Sequence, residues 1–560
     1  MNNRYLSTVV MIILSATLLF FLGVEFVLNL TPPISRDALV HHLAVPKLWL
    51  KHGGFYETPW ANYSYYPMYI NLLYLVCLYF YSDCAPKFIH LGFGLGTGIM
   101  IYVYLKQRLG RNWGLLGMVI FVSTPIVVWL STSAYIDLGM TFFVTASILA
   151  IVKWRDSAHE RPRWLFISSC CMGIAVGSKY NALIAFVIVN LLLMHGYVRD
   201  TKHQAATLRY GTIFFAVTIL VASPWYLKNY FLTKNPFYPL FNSFFQSLQH
   251  QPIQKVVQDQ VKKPPGTISL FQMRKVFFEE TFWETLFIPI RMFFQGKDDS
   301  YRYFQGVLNP ILVLFAPLIL LDRKYGRDKI LFVVFSVFFI GLAYFLTLQQ
   351  VRYILPVLPF LSILAVFGIK NLSDKLKDDT FFSFFAFHKH LKSMARVFLF
   401  AGVTGLLCLN FAYITERVRI IQPFPYLFRQ ETRPEFLRRH LMHYPAVEYI
   451  NHNLPEDAKI FLMFLGRRGY YLDKSYMNES SFGMNTVNNL VGYSTSETEF
   501  HKFVQSMGVT HVLVRTDLFH KFLADNFSKA EIARFLNLVK THWKLIYEFN
   551  GYAVWDIQEG

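Results

Sequence analysis

The 560 residues are 54% hydrophobic and 18% aromatic but only 16% charged, with a mean hydropathy of +0.34. Soluble domains carry about 25% charged residues, so a string of water-solvated domains is excluded and lipid must cover much of the chain. The formal balance of +19 would suit a nucleic-acid partner, but the basic residues flank apolar runs as the positive-inside rule expects. No nucleic-acid partner is therefore expected.

After Arg4 the apolar run 5–30 is interrupted by one charge, Glu25. A signal-peptide core is shorter, and no small-x-small cleavage site follows. The run is predicted as an uncleaved first span with its basic start in the cytoplasm. Ten more runs follow, at 85–105, 113–131, 138–152, 164–177, 182–195, 210–222, 307–321, 330–346, 353–369 and 397–411. Together they predict a polytopic α-helical membrane protein with about eleven transmembrane helices, several short for a hydrocarbon core of ~30 Å.

The run 67–81 is read as a re-entrant or interfacial helix in the first outer loop. On that reading the cytoplasmic turns carry Lys106, Arg108 and Arg111; Lys153, Arg155, Arg161 and Arg163; Arg199, Lys202 and Arg209; Arg323, Lys324, Arg327 and Lys329; and the 370–396 loop. The outward turns carry little beyond Lys179 and Arg352. A full crossing at 67–81 would place the basic turns outside, against the positive-inside bias.

The expected organisation is a transmembrane module, 1–412, with outer loops 31–87 and 224–305, and a small C-terminal α/β extracytoplasmic domain, 413–560. In that domain 459–465 and His511–Arg515 read as buried strands, and 497–507 and 529–543 as helices. Asn550-Gly551 between 545–549 and 552–557 is a type I′ hairpin signal. Cys77, Cys170, Cys171 and Cys408 lie in apolar runs and Cys84 at the edge of one. A disulfide-stapled secreted domain is thereby excluded, and no CxxC or HExxH motif points to zinc.

Candidate chemistry gathers in the outward turns. Asp37, in Ser35-Arg36-Asp37-Ala38, follows the first span closely; it reads either as the N-cap of 38–50, which spacing alone favours, or as a general base at the membrane surface. Asp137, in Tyr135-Ile136-Asp137, is an acid at membrane depth, and such acids tend to face cavities; its bland reading is again an N-cap. Lys179 and Arg352 either snorkel to the interface or grip the phosphate of a membrane-anchored ligand, Arg being the better bidentate partner. Glu25 would pair with one of these cations or reach the outer surface. His41 and His42 read as ligands, acid/base groups or ordinary interface residues. Asp298 and Asp299 read as solvated loop acids that could bind metal. Pro224-Trp225 reads as a helix exit, and Gly92, Gly94, Gly96 and Gly98 as a close-packing surface.

Several stretches carry a family resemblance: Asp37 after the first span, Tyr66-Pro67 before the re-entrant helix, Tyr135-Ile136-Asp137, Gly-Ser-Lys-Tyr ending at Tyr180, Pro-Trp-Tyr-x-x-Asn ending at Asn229, Asn-Pro-x-Tyr-Pro ending at Pro239 and Arg352-Tyr353-Ile354-Leu355-Pro356. Gly466-Arg467-Arg468-Gly469-Tyr470-Tyr471-Leu472 and Gly508-Val509-Thr510-His511 add to it. Together they resemble the GT-C superfamily of membrane glycosyltransferases, nearest the polyprenyl-phosphate-dependent aminoarabinose transferases and protein mannosyltransferases (glycosyltransferase family 39-like).

The resemblance implies that Asp37 is the catalytic base and Asp137 a supporting acid that positions acceptor or metal. His41, His42 and Tyr66 would be accessory residues. Many relatives have an acid directly after the first-loop aspartate; here Ala38 stands there, so a divalent metal is left open and no other cofactor is expected. An outward-facing site has no access to cytoplasmic nucleotide sugars, so the donor must arrive as a polyprenyl-phosphate-linked sugar. Arg352 and Lys179 would then stabilise the departing lipid phosphate, and the acceptor would be an envelope lipid, glycan or protein at the inner membrane. The expected reaction is a single displacement that inverts the anomeric carbon. The alternatives are a flippase of lipid-linked sugars, for which no internal repeat speaks, and a non-catalytic scaffold.

Overall fold

The computed structural model describes residues 3–58, 60–248, 269–321, 326–376, 388–479, 481 and 483–557. The expected cytoplasmic charges Arg323 and Lys324, the middle of the 370–396 loop and the middle of the 224–305 loop lie outside these residues. The chain forms two compact units.

The first unit comprises Met1–Asn29, Pro67–Ile70 and Lys87–Gln422. Among its described residues eight helices are long and apolar enough to cross a membrane, from Ser7–Asn29 to Ser393–Ile421. The pair Arg111–Val122 and Pro125–Ser131, bent by 69°, passes the same test together and makes a ninth if it is one broken span rather than a re-entrant loop. The bend has a local cause: Pro125 drives the preceding Thr124 into extended backbone, because the residue before a proline is disfavoured in the α region. Two shorter apolar helices, Arg163–Val176 and Ile311–Leu320, coincide with the runs 164–177 and 307–321. The polytopic helical architecture therefore stands. Helix Tyr69–Tyr79 has 11 residues, about 16 Å at 1.5 Å per residue, too short to cross ~30 Å.

Two boundaries differ from expectation. The helix expected to end near 222 runs over Gln204–Thr233 with Pro224 inside it. Proline cannot donate to the carbonyl four residues back, and the freed groups find other donors. Ser223 Oγ donates to Leu220 O at 2.8 Å, and Tyr69 Oη donates to Val221 O at 2.8 Å. With those carbonyls satisfied, the helix continues through its proline. The last span likewise continues to Ile421, because Ile414 is buried with Phe21 and Val128 and Tyr413 Oη donates to Asp298 at 2.6 Å. Position 413 therefore lies within a helix. Gly94, Gly96 and Gly98 do serve close packing: a Cβ on Gly96 would lie 2.8 Å from the Phe142 ring and one on Gly98 3.0 Å from Val122.

The second unit comprises Leu30–Tyr66, Asn71–Pro86 and Pro423–Gly560. Its sheet has the order β2-β1-β3-β5-β4, with β1 Lys459–Met463, β2 Ser475–Met477, β3 His511–Arg515, β4 Lys544–Phe549 and β5 Tyr552–Asp556. β1 pairs in parallel with β2 and β3, and β3-β5-β4 are antiparallel. Asn550 and Gly551 both have positive φ, 52° and 77°, as a type I′ turn requires. Apolar side chains fill both faces, with Val487, Phe500, Phe535 and Trp543 on one and Val447, Ile450 and Leu472 on the other.

Most of the 31–87 loop folds with the C-terminal region, a joining that a division at 412/413 does not contain. The Gly466–Leu472 stretch fastens it. Lys47 Nζ donates to Tyr470 O at 2.8 Å and to Asp473 Oδ1 at 3.0 Å, Tyr471 Oη donates to Pro33 O at 2.7 Å, and the Tyr470 N–H donates to Leu39 O at 3.3 Å. Arg433 and Tyr470 both donate to Asp83.

Candidate functional site

In the first unit the turn Thr132–Ile136 is buried and leads into helix Asp137–Asp156. Asp137 is fully buried. It is the first residue of the helix, Ile136 holds the N-cap position, and no side chain caps it, so the capping reading fails. Instead Asp137 Oδ1 accepts from Lys179 Nζ at 2.6 Å, while Oδ2 is buried without a hydrogen-bond partner among the described residues. Lys179 is drawn inward by this acid rather than extended to the interface, and its ammonium lies 5.2 Å from the Tyr353 ring centre.

Arg352 completes the group. It sits in the 3-10 turn Val351–Val357, where Pro356 and Pro359 disfavour a regular helix. Its Nε donates to the neutral Gln350 side chain at 3.0 Å. Its guanidinium lies 5.4 Å from the Tyr353 ring centre and 5.9 Å from that of Tyr135, and its charge, with that of Lys179, acts on Asp137. Lys179 thus pairs with the buried carboxylate, and Arg352 adds a second positive charge nearby. Beside them a narrow apolar cavity is lined by Met292, Ile340, Tyr344, Gln350, Tyr353 and Ile354.

Sequence reasoning missed His90, although an ionisable residue inside an apolar run is itself a signal. His90 Nδ1 faces the carbonyls of Leu130 (2.7 Å) and Ser133 (2.9 Å), and Nε2 accepts from the Leu138 N–H at 2.9 Å. Those partners define a neutral ring protonated at Nδ1. The imidazole pins both ends of the turn that delivers Asp137. Glu25 departs from expectation: it is fully buried, and neither carboxylate oxygen has a hydrogen-bond partner among the described residues. Among the described residues it pairs with no cation, and it reaches no surface. Asp298 is not merely solvated. It is half-buried against Tyr413, and burial raises its pKa above the usual carboxylate value.

In the second unit Asp37 is half-buried at the start of a π-helical turn, Ala38–His42, and makes no side-chain capping bond. The Leu43 N–H reaches back five residues to Ala38 O at 2.9 Å; such π turns concentrate at functional sites. His42 is buried, with Asn71 Nδ2 3.1 Å from its Nδ1 and 3.0 Å from its backbone oxygen. The His41 ring stacks on Tyr63 at 4.8 Å; Tyr66 lies 5.4 Å from Tyr63, and the Arg467 guanidinium 5.3 Å. Asp37, His41, His42 and Tyr66 therefore belong to one unit, and Asp137, Lys179 and Arg352 to the other. Among the described residues one group of His, Asp and Glu side chains has metal-ligand spacing, Glu497, His501 and His542; neither candidate aspartate is in it.

The other motif fragments act as fastenings in the first unit. Tyr180 Oη donates to Tyr238 O at 2.9 Å, Asn229 Nδ2 to Pro236 O at 3.3 Å and Tyr226 Oη to Val176 O at 3.1 Å. Three stretches distant in sequence are thus buckled together.

Residues 79–245 match the family model described as dolichyl-phosphate-mannose-protein mannosyltransferase. No curated protein matches the sequence. Among solved structures the chain is similar to ArnT from Cupriavidus metallidurans bound to undecaprenyl phosphate, with a TM-score of 0.53 and 13% identity over 97% of this chain and 98% of that one. It is similar to the archaeal oligosaccharyltransferase AglB from Archaeoglobus fulgidus in complex with an inhibitory peptide and a dolichol-phosphate, with a TM-score of 0.53 and 11% identity over 96% of this chain and 74% of that one. The Archaeoglobus fulgidus oligosaccharyltransferase tethered to an acceptor peptide gives a TM-score of 0.54 at 10% identity, over 97% and 74%. At such identities the likeness is one of fold.

Proposed function

We propose that the chain, with a mannosyltransferase-family segment at 79–245 and a fold like that of ArnT and AglB, is a membrane glycosyltransferase of the GT-C type that moves a sugar from a polyprenyl-phosphate-linked donor to an envelope acceptor at the extracytoplasmic face. The observation that carries the donor class is the pair of cations, Lys179 and Arg352, gathered at the buried Asp137 and the Tyr353 ring. The lipid phosphates bound to ArnT and AglB have the same chemistry. Sidedness rests on charge: the basic turns crowd to one side of the spans when 67–81 does not cross.

In this reading Asp37 takes the proton from the acceptor hydroxyl as its oxygen attacks the anomeric carbon. The glycosidic bond to phosphate breaks on the opposite side, which inverts the configuration. General-base help of this kind is typically worth about 10²–10⁴-fold. Arg352 and Lys179 stabilise the charge that collects on the departing lipid phosphate, a contribution that is often the largest. Asp137 holds Lys179 in place and is not itself the base.

The test is transfer from a polyprenyl-phosphate sugar to envelope lipid or protein by the purified enzyme in proteoliposomes. Asp37→Asn should lose at least about 10²-fold in turnover while still retaining donor. Near wild-type turnover in Asp37→Asn would remove the base assignment. Movement of the lipid between leaflets without transfer would instead make the protein a flippase.

A further inference from the structure

In the second unit, helix Glu497–Ser506 lies against the C-terminal end of helix Lys529–His542 over a shared apolar floor of Phe500, Val504, Phe535, Val539 and Trp543. Glu497 and His501 are four residues apart, which puts both side chains on one helix face. His542 meets them from the other helix. Its Nε2 is 3.0 Å from Glu497 Oε1, and its ring centre is 4.1 Å from that of His501 at 80°. One ligand atom from each of the three residues lies within 4.8 Å of the others.

An ordinary exposed ion pair accounts for this poorly. A Glu–His pair needs one imidazole, and a second imidazolium at this distance would repel the first. The contact between His542 and Glu497 also lacks hydrogen-bond geometry, leaving Nε2 of His542 buried without a hydrogen-bond partner among the described residues. Two imidazoles with a nitrogen each near one carboxylate make a ligand set. Bonds of about 2.0–2.2 Å to a tetrahedral ion separate donor atoms by roughly 3.4 Å, a spacing that small side-chain rotations reach from the present one. Two imidazoles and a carboxylate favour zinc-class transition metals over calcium or magnesium.

We propose that Glu497, His501 and His542 bind a zinc-class divalent transition metal with three protein ligands, clamping the two helices of the C-terminal region together. The site is separate from the transfer chemistry, so its test does not depend on that reading.

The full-length protein in detergent, stripped with a chelator, is titrated with Co(II) and then with Zn(II). The expected result is about one Co(II) per chain with visible bands of tetrahedral or five-coordinate geometry, displaced by Zn(II), and a rise of several degrees in unfolding temperature that Mg(II) and Ca(II) do not give. His542→Gln and His501→Gln should each abolish the bands and the shift. Glu497→Gln, at an exposed position, should weaken binding at least about tenfold and guards against a histidine variant that fails to fold. Bands that survive all three substitutions, or a folded wild type with no bands, would overturn the proposal.

Discussion

Asp137 has lost all contact with water whereas Lys179 keeps a small part of its surface, and that asymmetry sets what each substitution does. Removing one partner of a buried ion pair costs about 3–5 kcal/mol, whereas replacing both by uncharged groups of similar size is often nearly neutral. Lys179→Met should therefore lower the unfolding temperature markedly. Asp137→Asn/Lys179→Met should recover most of that loss while transfer stays absent, as thermal melts and turnover on the same preparations would record. His90 acts on the same turn without charge. His90→Leu leaves the buried Leu138 N–H without its acceptor, while Leu130 O and Ser133 O keep the N–H groups of Ser133 and Tyr135; one such buried group is worth about 1–3 kcal/mol, so the change should destabilise the protein and lower turnover together. Both aspartates looked like helix caps from their spacing. Asp37 makes no capping bond, and the Asp137 carboxylate goes instead to Lys179, a partner distant in sequence and invisible to local pattern.

Helix Gln204–Thr233 shows how an element can override its own punctuation. Pro224 announced an exit, yet Ser223 supplies the donor that proline removes at Leu220 O, and Tyr69 adds one at the neighbouring Val221 O. Tyr69→Phe should cost about 1 kcal/mol. In a Pro224→Ala background, where the helix bonds to itself, the same change should cost less. A double-mutant cycle on thermal stability measures this coupling, and equal costs in both backgrounds would show that the hydroxyl does not serve the kink.

At the scale of the whole chain, the loop that bears Asp37 folds with the C-terminal region rather than independently. Deleting 423–560 should therefore abolish transfer without showing that any residue there takes part in it. A milder probe is Arg433→Met, which removes a partner of Asp83 and should hasten proteolysis within 71–86. The same unit carries a pH dependence. His443 is buried, and burial, aided by the charge of Arg468, pushes its pKa down to about 3 from an ordinary 6.5. Between those values the unfolded chain holds a proton that the folded one rejects, so stability is full above pH 6.5 and declines as pH falls toward 3. The slope approaches about 1.4 kcal/mol per pH unit. Melting curves between pH 7 and 5 should show this decline, flattened in His443→Gln.

Composition and run length alone determined the membrane class, the approximate spans and the short helix at 67–81, because solvation by lipid acts on every residue and leaves its mark in local averages. The Asn-Gly hairpin was legible for the same reason, since two positive-φ positions are a local demand. Motif spacing also picked out Asp137, Lys179 and Arg352. Only the tertiary structure decided that these three share one buried cluster, that His90 holds the turn, that Glu25 stays buried, and that Gly466–Leu472 fastens the first long loop. Each of those depends on groups far apart in sequence, and contacts of that kind are set by packing rather than by neighbours along the chain.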